Sequence, residues 1–293
     1  MRSRKRLLLC LSVLVAVALA LWQFWPSQKL SYEGKALKDW VLDLGENRWN
    51  PKATAAIQAL GTNALPALID AVNQRPGETR EQVFSAISTI LQKLHLRSRP
   101  LLDAKRRAAI GALRAFDILG ATASNAIPVL AKTMDTNADA IEALGYIGPA
   151  SIPVLTNALQ RCGPQQRLHI FLAFCQIGTN ASVAVPMIIA QLQDTTSLGP
   201  YPMREIAAMA LGCLKSDPAT VVPALTNLFQ DPNSGVRMYA VQSVGEFSSR
   251  ANFALPAVRQ LLNDSHVMVR ESATNALEAI ENNAPFVRPG HSR

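Results

Sequence analysis

The chain has 293 residues, 49% of them hydrophobic, with 29 Lys and Arg against 21 Asp and Glu. Four of the eight net positive charges sit at Arg2, Arg4, Lys5 and Arg6, so residues 26 to 293 carry 25 basic against 21 acidic side chains and are only mildly basic. This length and apolar content supply a continuous core without staples, which excludes a small disulfide-held domain; Cys162, Cys175 and Cys213 show no CxxC and no metal-ligand spacing.

Residues 1–25 form the first predicted element. Leu7 to Trp25 is a run of 19 uncharged positions, which at about 1.5 Å per residue just spans a hydrocarbon core of about 30 Å. The four preceding basic residues leave the N-terminus in the cytoplasm and the rest of the chain outside, with Trp22, Phe24 and Trp25 at the outer interface. This reading is a single-pass membrane anchor holding a periplasmic domain. A cleaved signal peptide competes with it, because Ala18-Leu19-Ala20 is a small-x-small site, and cleavage would leave a secreted protein. Cys10 follows three leucines and lacks the small residues of a lipoprotein box.

Residues 26–50 read as an extended lead-in and a helix in which Leu37, Trp40, Val41 and Leu44 make one stripe. This helix is expected to cap the open face of the first unit after residue 50, with Trp40 buried in the cap or, alternatively, exposed as a binding hot spot.

From residue 51 to 282 a ladder recurs, with prolines at 66, 128, 153, 186, 223 and 256, separated by 62, 25, 33, 37 and 33 residues. A period in the thirties marks a helical repeat array. The residue before each proline is apolar (Leu65, Ile127, Ile152, Val185, Val222, Leu255), as is the second after it (Leu68, Leu130, Leu155, Ile188, Leu225, Val258). So is the sixth after it (Val72, Met134, Leu159, Leu192, Phe229, Leu262). These spacings form one helical stripe, and a proline in the first helical turn loses no hydrogen bond, so each proline is expected to open a core-facing helix. A second helix precedes most of them and ends in small residues, as in "AIEALGYIG", "FLAFCQIG" and "AAMALGCL". Between Pro66 and Pro128 the ladder is irregular: helices are expected at about 79–95 and 103–119, interrupted at Pro100. Gly199-Pro200-Tyr201-Pro202 lengthens a loop, and residues 283–293 are expected to be a disordered tail.

The helical hairpin, its turn Asp and first-helix Arg in "DPNSGVRMYAVQSVG" and "DSHVMVRESATNALEAI", and the proline opening the second helix resemble the HEAT-repeat family. The segment "YEGKALKDWVLDL" is similar to an element that precedes the repeats in bacterial exported HEAT proteins. The resemblance implies an all-α fold, a right-handed α-solenoid of stacked helical hairpins of the HEAT/armadillo kind, following the N-terminal transmembrane or signal helix. It also implies that the second helices line a concave face.

On that face, opposite the core stripe, the fourth and seventh residues after each proline are Asp70 and Asn73, Lys132 and Asp135, Asn157 and Gln160, Ala190 and Gln193, Asn227 and Gln230, and Gln260 and Asn263. The polar members of this row are the candidate partner-binding residues. Amides donate and accept, which suits an extended peptide backbone, and a solvated helix face is the competing reading. A second candidate is a basic patch of Arg97, Arg99, Lys105, Arg106, Arg107 and Arg114, with Asp103 as the one acidic residue between 97 and 114. Such a patch suits an acidic protein or anionic lipid; nucleic acid is disfavoured, because an amide-dominated groove offers no repeated cations to track phosphates.

No catalytic residue, cofactor or metal site is expected: the four histidines are scattered, and no HExxH, GxSxG or phosphate-binding glycine loop appears. Asp231 and Asp264, at unit boundaries, are expected to shape turns or cap helices. The expected function is a membrane-anchored, non-catalytic scaffold for a protein or peptide. The alternative is a HEAT-like enzyme or accessory resembling bilin lyases or DNA glycosylases. Cys175 and Cys213 fall at nearly equivalent positions of adjacent units, where small buried side chains and a bridge are both conceivable.

Overall fold

The computed structural model describes residues 30–74, 101–199 and 201–289. The expected anchor, the helix at 79–95, Pro100, Arg97 and Arg99 lie outside them.

The chain enters through a hairpin of β1 (Ser31–Tyr32) and β2 (Lys35–Ala36). Glu33 and Gly34 both have positive φ, as a two-residue turn matched to strand twist requires. Helix α1 (Leu37–Glu46) buries Leu37, Trp40, Val41 and Leu44, the stripe expected from the sequence. Trp40 is part of the core: its indole N–H donates to the Tyr32 carbonyl at 3.2 Å, and the Lys35 ammonium lies 4.2 Å from the ring centroid. The hot-spot alternative for Trp40 therefore falls, since its face is already covered.

The hairpin units come next: α2 (Pro51–Leu60) with α3 (Leu65–Asn73), α4 (Leu101–Leu119) with α5 (Ile127–Thr133), and α6 (Ala138–Ile147) with α7 (Ile152–Leu159). After them stand α8 (Pro164–Ile177) with α9 (Val185–Ala190), α10 (Met203–Leu214) with α11 (Pro218–Thr226), and α12 (Ser234–Gly245) with α13 (Leu255–Gln260). Helix α14 (Val267–Glu281) closes the array. The first helices α4, α6, α8, α10, α12 and α14 each pack on the next, so one continuous core runs between the two helix layers. The described residues thus form an all-α solenoid with two short β-hairpins.

The six positions two residues after the ladder prolines are all buried, which is why the pattern is so regular. In five units the proline does stand at the start of the α-helix, after a tighter 3₁₀ run such as Gly61–Ala64 or Gly178–Ala184. Pro223 departs from this: α11 has already begun at Pro218, placing Pro223 inside the helix. The stripe also slips once. Leu262 is exposed while its neighbour Leu261 is buried.

Pro51–Asn73 and Pro164–Gln193 are apolar enough to cross a bilayer by length and composition. Each is a hairpin unit bent at Gly61 or Gly178, where positive φ ends the first helix, and its apolar side chains serve the solenoid core. The Gly199 stretch, expected as a longer loop, folds as a hairpin of β3 (Ser197–Leu198) and β4 (Tyr201–Pro202). Residues 283–289, expected as tail, lie back on the last unit: Ser248 Oγ donates to the Ala284 carbonyl, Asn275 Nδ2 donates to that of Val287, and Phe286 packs on the core.

Candidate functional site

All eleven polar residues of the predicted row are exposed, on the second helices or the turns that end them. The reason is helical geometry: positions four and seven after the proline lie across the helix from the buried second position. Three of them are tied into local bonds. Asn73 Oδ1 accepts from Asn137 Nδ2 at 3.3 Å, Asn157 Oδ1 accepts from Arg161 Nη1 at 3.2 Å, and Asp135 pairs with Arg161 at 4.0 Å. At the C-terminal end, Gln230, Gln260 and Asn263 line one open cleft of about 410 Å³ together with Asp231, Arg237 and Asp264. The solenoid therefore brings side chains from consecutive units, about thirty positions apart in the chain, to one cleft.

A second ladder underlies this face. Arg167 pairs with Asp194 at 2.5 Å, Arg204 with Asp231 at 2.6 Å and Arg237 with Asp264 at 2.8 Å, each Arg 27 residues before its Asp. The last two are bidentate. The Asp is a turn residue, as expected, since Asp194, Asp231 and Asp264 accept from the backbone N–H two residues on. Helix capping falls to Asn233 in α12, which accepts from Gly235 and Val236. Arg237 also donates to the Asp231 carbonyl, and Arg270 donates to that of Asp264, so each guanidinium stitches unit boundaries together.

The pairs are electrostatically settled. The Arg237 fork and the His266 amide hold the Asp264 carboxyl below its usual range against the cost of burial. Burial would raise Asp194, but the Thr196 amide and Arg167 outweigh it and the carboxyl is held low. Arg204 and Arg237 are pushed further up by their carboxylate partners. These charges are committed to one another, which leaves Gln230, Gln260 and Asn263 as neutral amides at the cleft. The Arg–Asp pairs are readable in the sequence as a constant offset of 27 between Arg and turn Asp, a signal the proline ladder overshadows.

The basic patch is reshaped by α1. Arg107 pairs with Glu46, and Arg114 donates to the Leu44 carbonyl. Lys105 and Arg106 are exposed on the first half of α4. Trp49, which the periodicity does not single out, stands 83% exposed between α1 and α2 beside Arg48, whose second contact is Asp117 at 3.3 Å. Among the described residues no cluster of three or more His, Cys, Asp or Glu could hold a metal ion.

Residues 185–278 match the family of HEAT repeats, and residues 138–161 match the PBS lyase HEAT-like repeat. No curated protein matches the chain significantly. Similar solved structures include a designed armadillo repeat protein in complex with the peptide (KR)4, 17% identical, covering 74% of this chain and 99% of its own with a TM-score of 0.41. Another is an engineered protein, also 17% identical, covering 85% of this chain and 91% of its own with a TM-score of 0.40.

Proposed function

We propose that this chain, whose residues 185–278 and 138–161 match HEAT repeats, is a non-catalytic scaffold that holds a protein or peptide along the exposed face of its second helices. The observation that carries this reading is the row itself: every predicted polar position is exposed, and three of them converge with a committed Arg–Asp pair on one open cleft. Exposed amides at a fixed repeat offer an extended backbone alternating donors and acceptors, with little desolvation cost compared with charges.

Changing Asn157, Gln160, Asn227 and Gln230 together to Ala should abolish capture of a partner by the full chain while leaving helicity and melting temperature nearly unchanged, since exposed positions tolerate Ala. Capture is read by quantitative comparison of proteins retained by wild type and variant. Binding that survives these changes but is lost with Lys105→Glu and Arg106→Glu, and that falls steeply with salt, would move the site to the basic face and favour an acidic protein or anionic lipid.

The proposed location is the outer face of a cytoplasmic membrane, with residues 7–25 as an uncleaved anchor. The support is the uncharged run flanked by basic residues. The protein should then remain in the membrane fraction after carbonate washing, with its repeats open to protease from the non-cytoplasmic side alone. A soluble species beginning near Leu21 would establish cleavage instead.

A further inference from the structure

The Arg–Asp ladder repeats one geometry from unit to unit. Arg237 of α12 donates from Nη1 to the carbonyls of Asp231 and Pro232, at 2.8 and 3.3 Å, six and five residues before it in the chain. From Nε and Nη2 it donates to the two carboxylate oxygens of Asp264, each at 2.8 Å. Arg204 of α10 presents the same edge to Asp231. In both units the carboxylate stands in the turn after the second helix, directly behind an amide, Gln230 or Asn263.

Arg270 of α14 makes only the first half of this arrangement. Its Nη1 donates to the carbonyls of Asp264 and Ser265, at 2.7 and 3.1 Å, again six and five residues back, so its guanidinium sits in the same backbone clamp as that of Arg237. Among the described residues no carboxylate reaches its Nε and Nη2 edge. The helix is open beside it: Val241, four residues after Arg237, is fully buried, whereas Thr274, four after Arg270, is exposed. The tail covers the other end of α14, from Asn275, whose side chain donates to the Val287 carbonyl. A guanidinium clamped in this way has already given up much of its side-chain freedom, so a carboxylate can dock on it with less of the ordering cost that makes most surface ion pairs weak.

We propose that the Nε and Nη2 edge of Arg270 is a docking site for a protein partner, which supplies an aspartate from a turn at the end of a helix, as Asp264 does to Arg237. The ladder itself sets the chemistry of the occupant. Two parallel N–H donors match the two oxygens of one planar carboxylate, and the forks of Arg204 and Arg237 each hold an aspartate in this way. The site lies one unit beyond the cleft of Gln260 and Asn263 and uses none of the exposed amides, so it extends the scaffold reading without resting on it.

The test titrates the full-length protein into a fluorescein-labelled peptide of residues 255–266, LPAVRQLLNDSH, which carries Asp264 in its own sequence context, and follows the anisotropy. The expected result is saturable binding that weakens by roughly tenfold or more when the peptide carries Asp264→Asn, and equally when the protein carries Arg270→Gln. Arg270→Lys should not restore it, because an ammonium lacks the fork. The peptide comparison uses wild-type protein in both arms and needs no variant to fold; circular dichroism checks that the Arg270 variants keep their helices. The protein with Asn157, Gln160, Asn227 and Gln230 changed to Ala should bind this peptide as the wild type does, which separates the site from the amide row. Absence of saturable binding, equal binding of the two peptides, or binding indifferent to Arg270→Gln would overturn the assignment. Self-association of the full-length protein that Arg270→Gln abolishes would give the carboxylate to a second copy of the chain and overturn the assignment to a partner.

Discussion

Leu225→Asp should unfold the repeats around α11, whereas Asn227→Asp, two residues further along the chain, should leave the melting temperature almost unchanged. Leu225 is fully buried and Asn227 is exposed. Removing a buried leucine side chain costs roughly 3–5 kcal/mol by itself. The substitution then places an unpaired carboxylate where the neighbours are Val221, Val222 and Phe229, all buried and apolar. Together these are comparable to the roughly 5–15 kcal/mol that holds a whole domain folded. Leu155→Asp is the same experiment in α7, and it has the same expected outcome because Leu155 is also fully buried. The measurement is the helical circular-dichroism signal against temperature. A Leu225→Asp protein that melts as the wild type does would mean that the ladder does not face a core.

That contrast rests on features legible in the chain itself. The second position after each proline is buried in all six units, and the polar row opposite it is exposed throughout. Both arise from local helical phase, which a single sequence carries. What is not legible depends on partners far away in the chain. The basic run at 97–114 looks nearly unopposed in the sequence, yet Glu46 reaches Arg107 from 61 residues away and the Leu44 carbonyl takes Arg114 from 70. Pro223 looks like its siblings, but Asp217 in a left-handed conformation starts α11 early at Pro218, so the proline falls inside the helix. Leu262 matches the apolar stripe, yet it is exposed and its neighbour Leu261 takes the buried place.

The cap exposes the same limit, because there the structure reverses the sign of an effect that the sequence alone would assign. Gly111 lies inside α4, where Ala would ordinarily be better by about 1 kcal/mol because glycine surrenders more backbone freedom in a helix. Propensity alone therefore expects Gly111→Ala to stabilise the protein. In the structure a Cβ at Gly111 would come within 1.8 Å of the Val41 carbonyl oxygen and 3.0 Å of the Gly45 nitrogen, both backbone atoms of α1 that cannot turn aside. A Cβ at Gly45 would meet the Arg107 carbonyl oxygen at 2.1 Å, so the two helices touch backbone to backbone at both glycines. Either Gly111→Ala or Gly45→Ala should thus push α1 off α4 and begin to expose Leu37, Trp40, Val41 and Leu44, each worth roughly 1.5–3 kcal/mol when fully buried. This outweighs the propensity gain. The expected result is a lower melting temperature with α4 still helical, and faster hydrogen exchange confined to residues 37–46 and the units they cover. A melting temperature that rises in both variants would show that helix propensity, and not the close crossing of α1 and α4, governs this end of the solenoid.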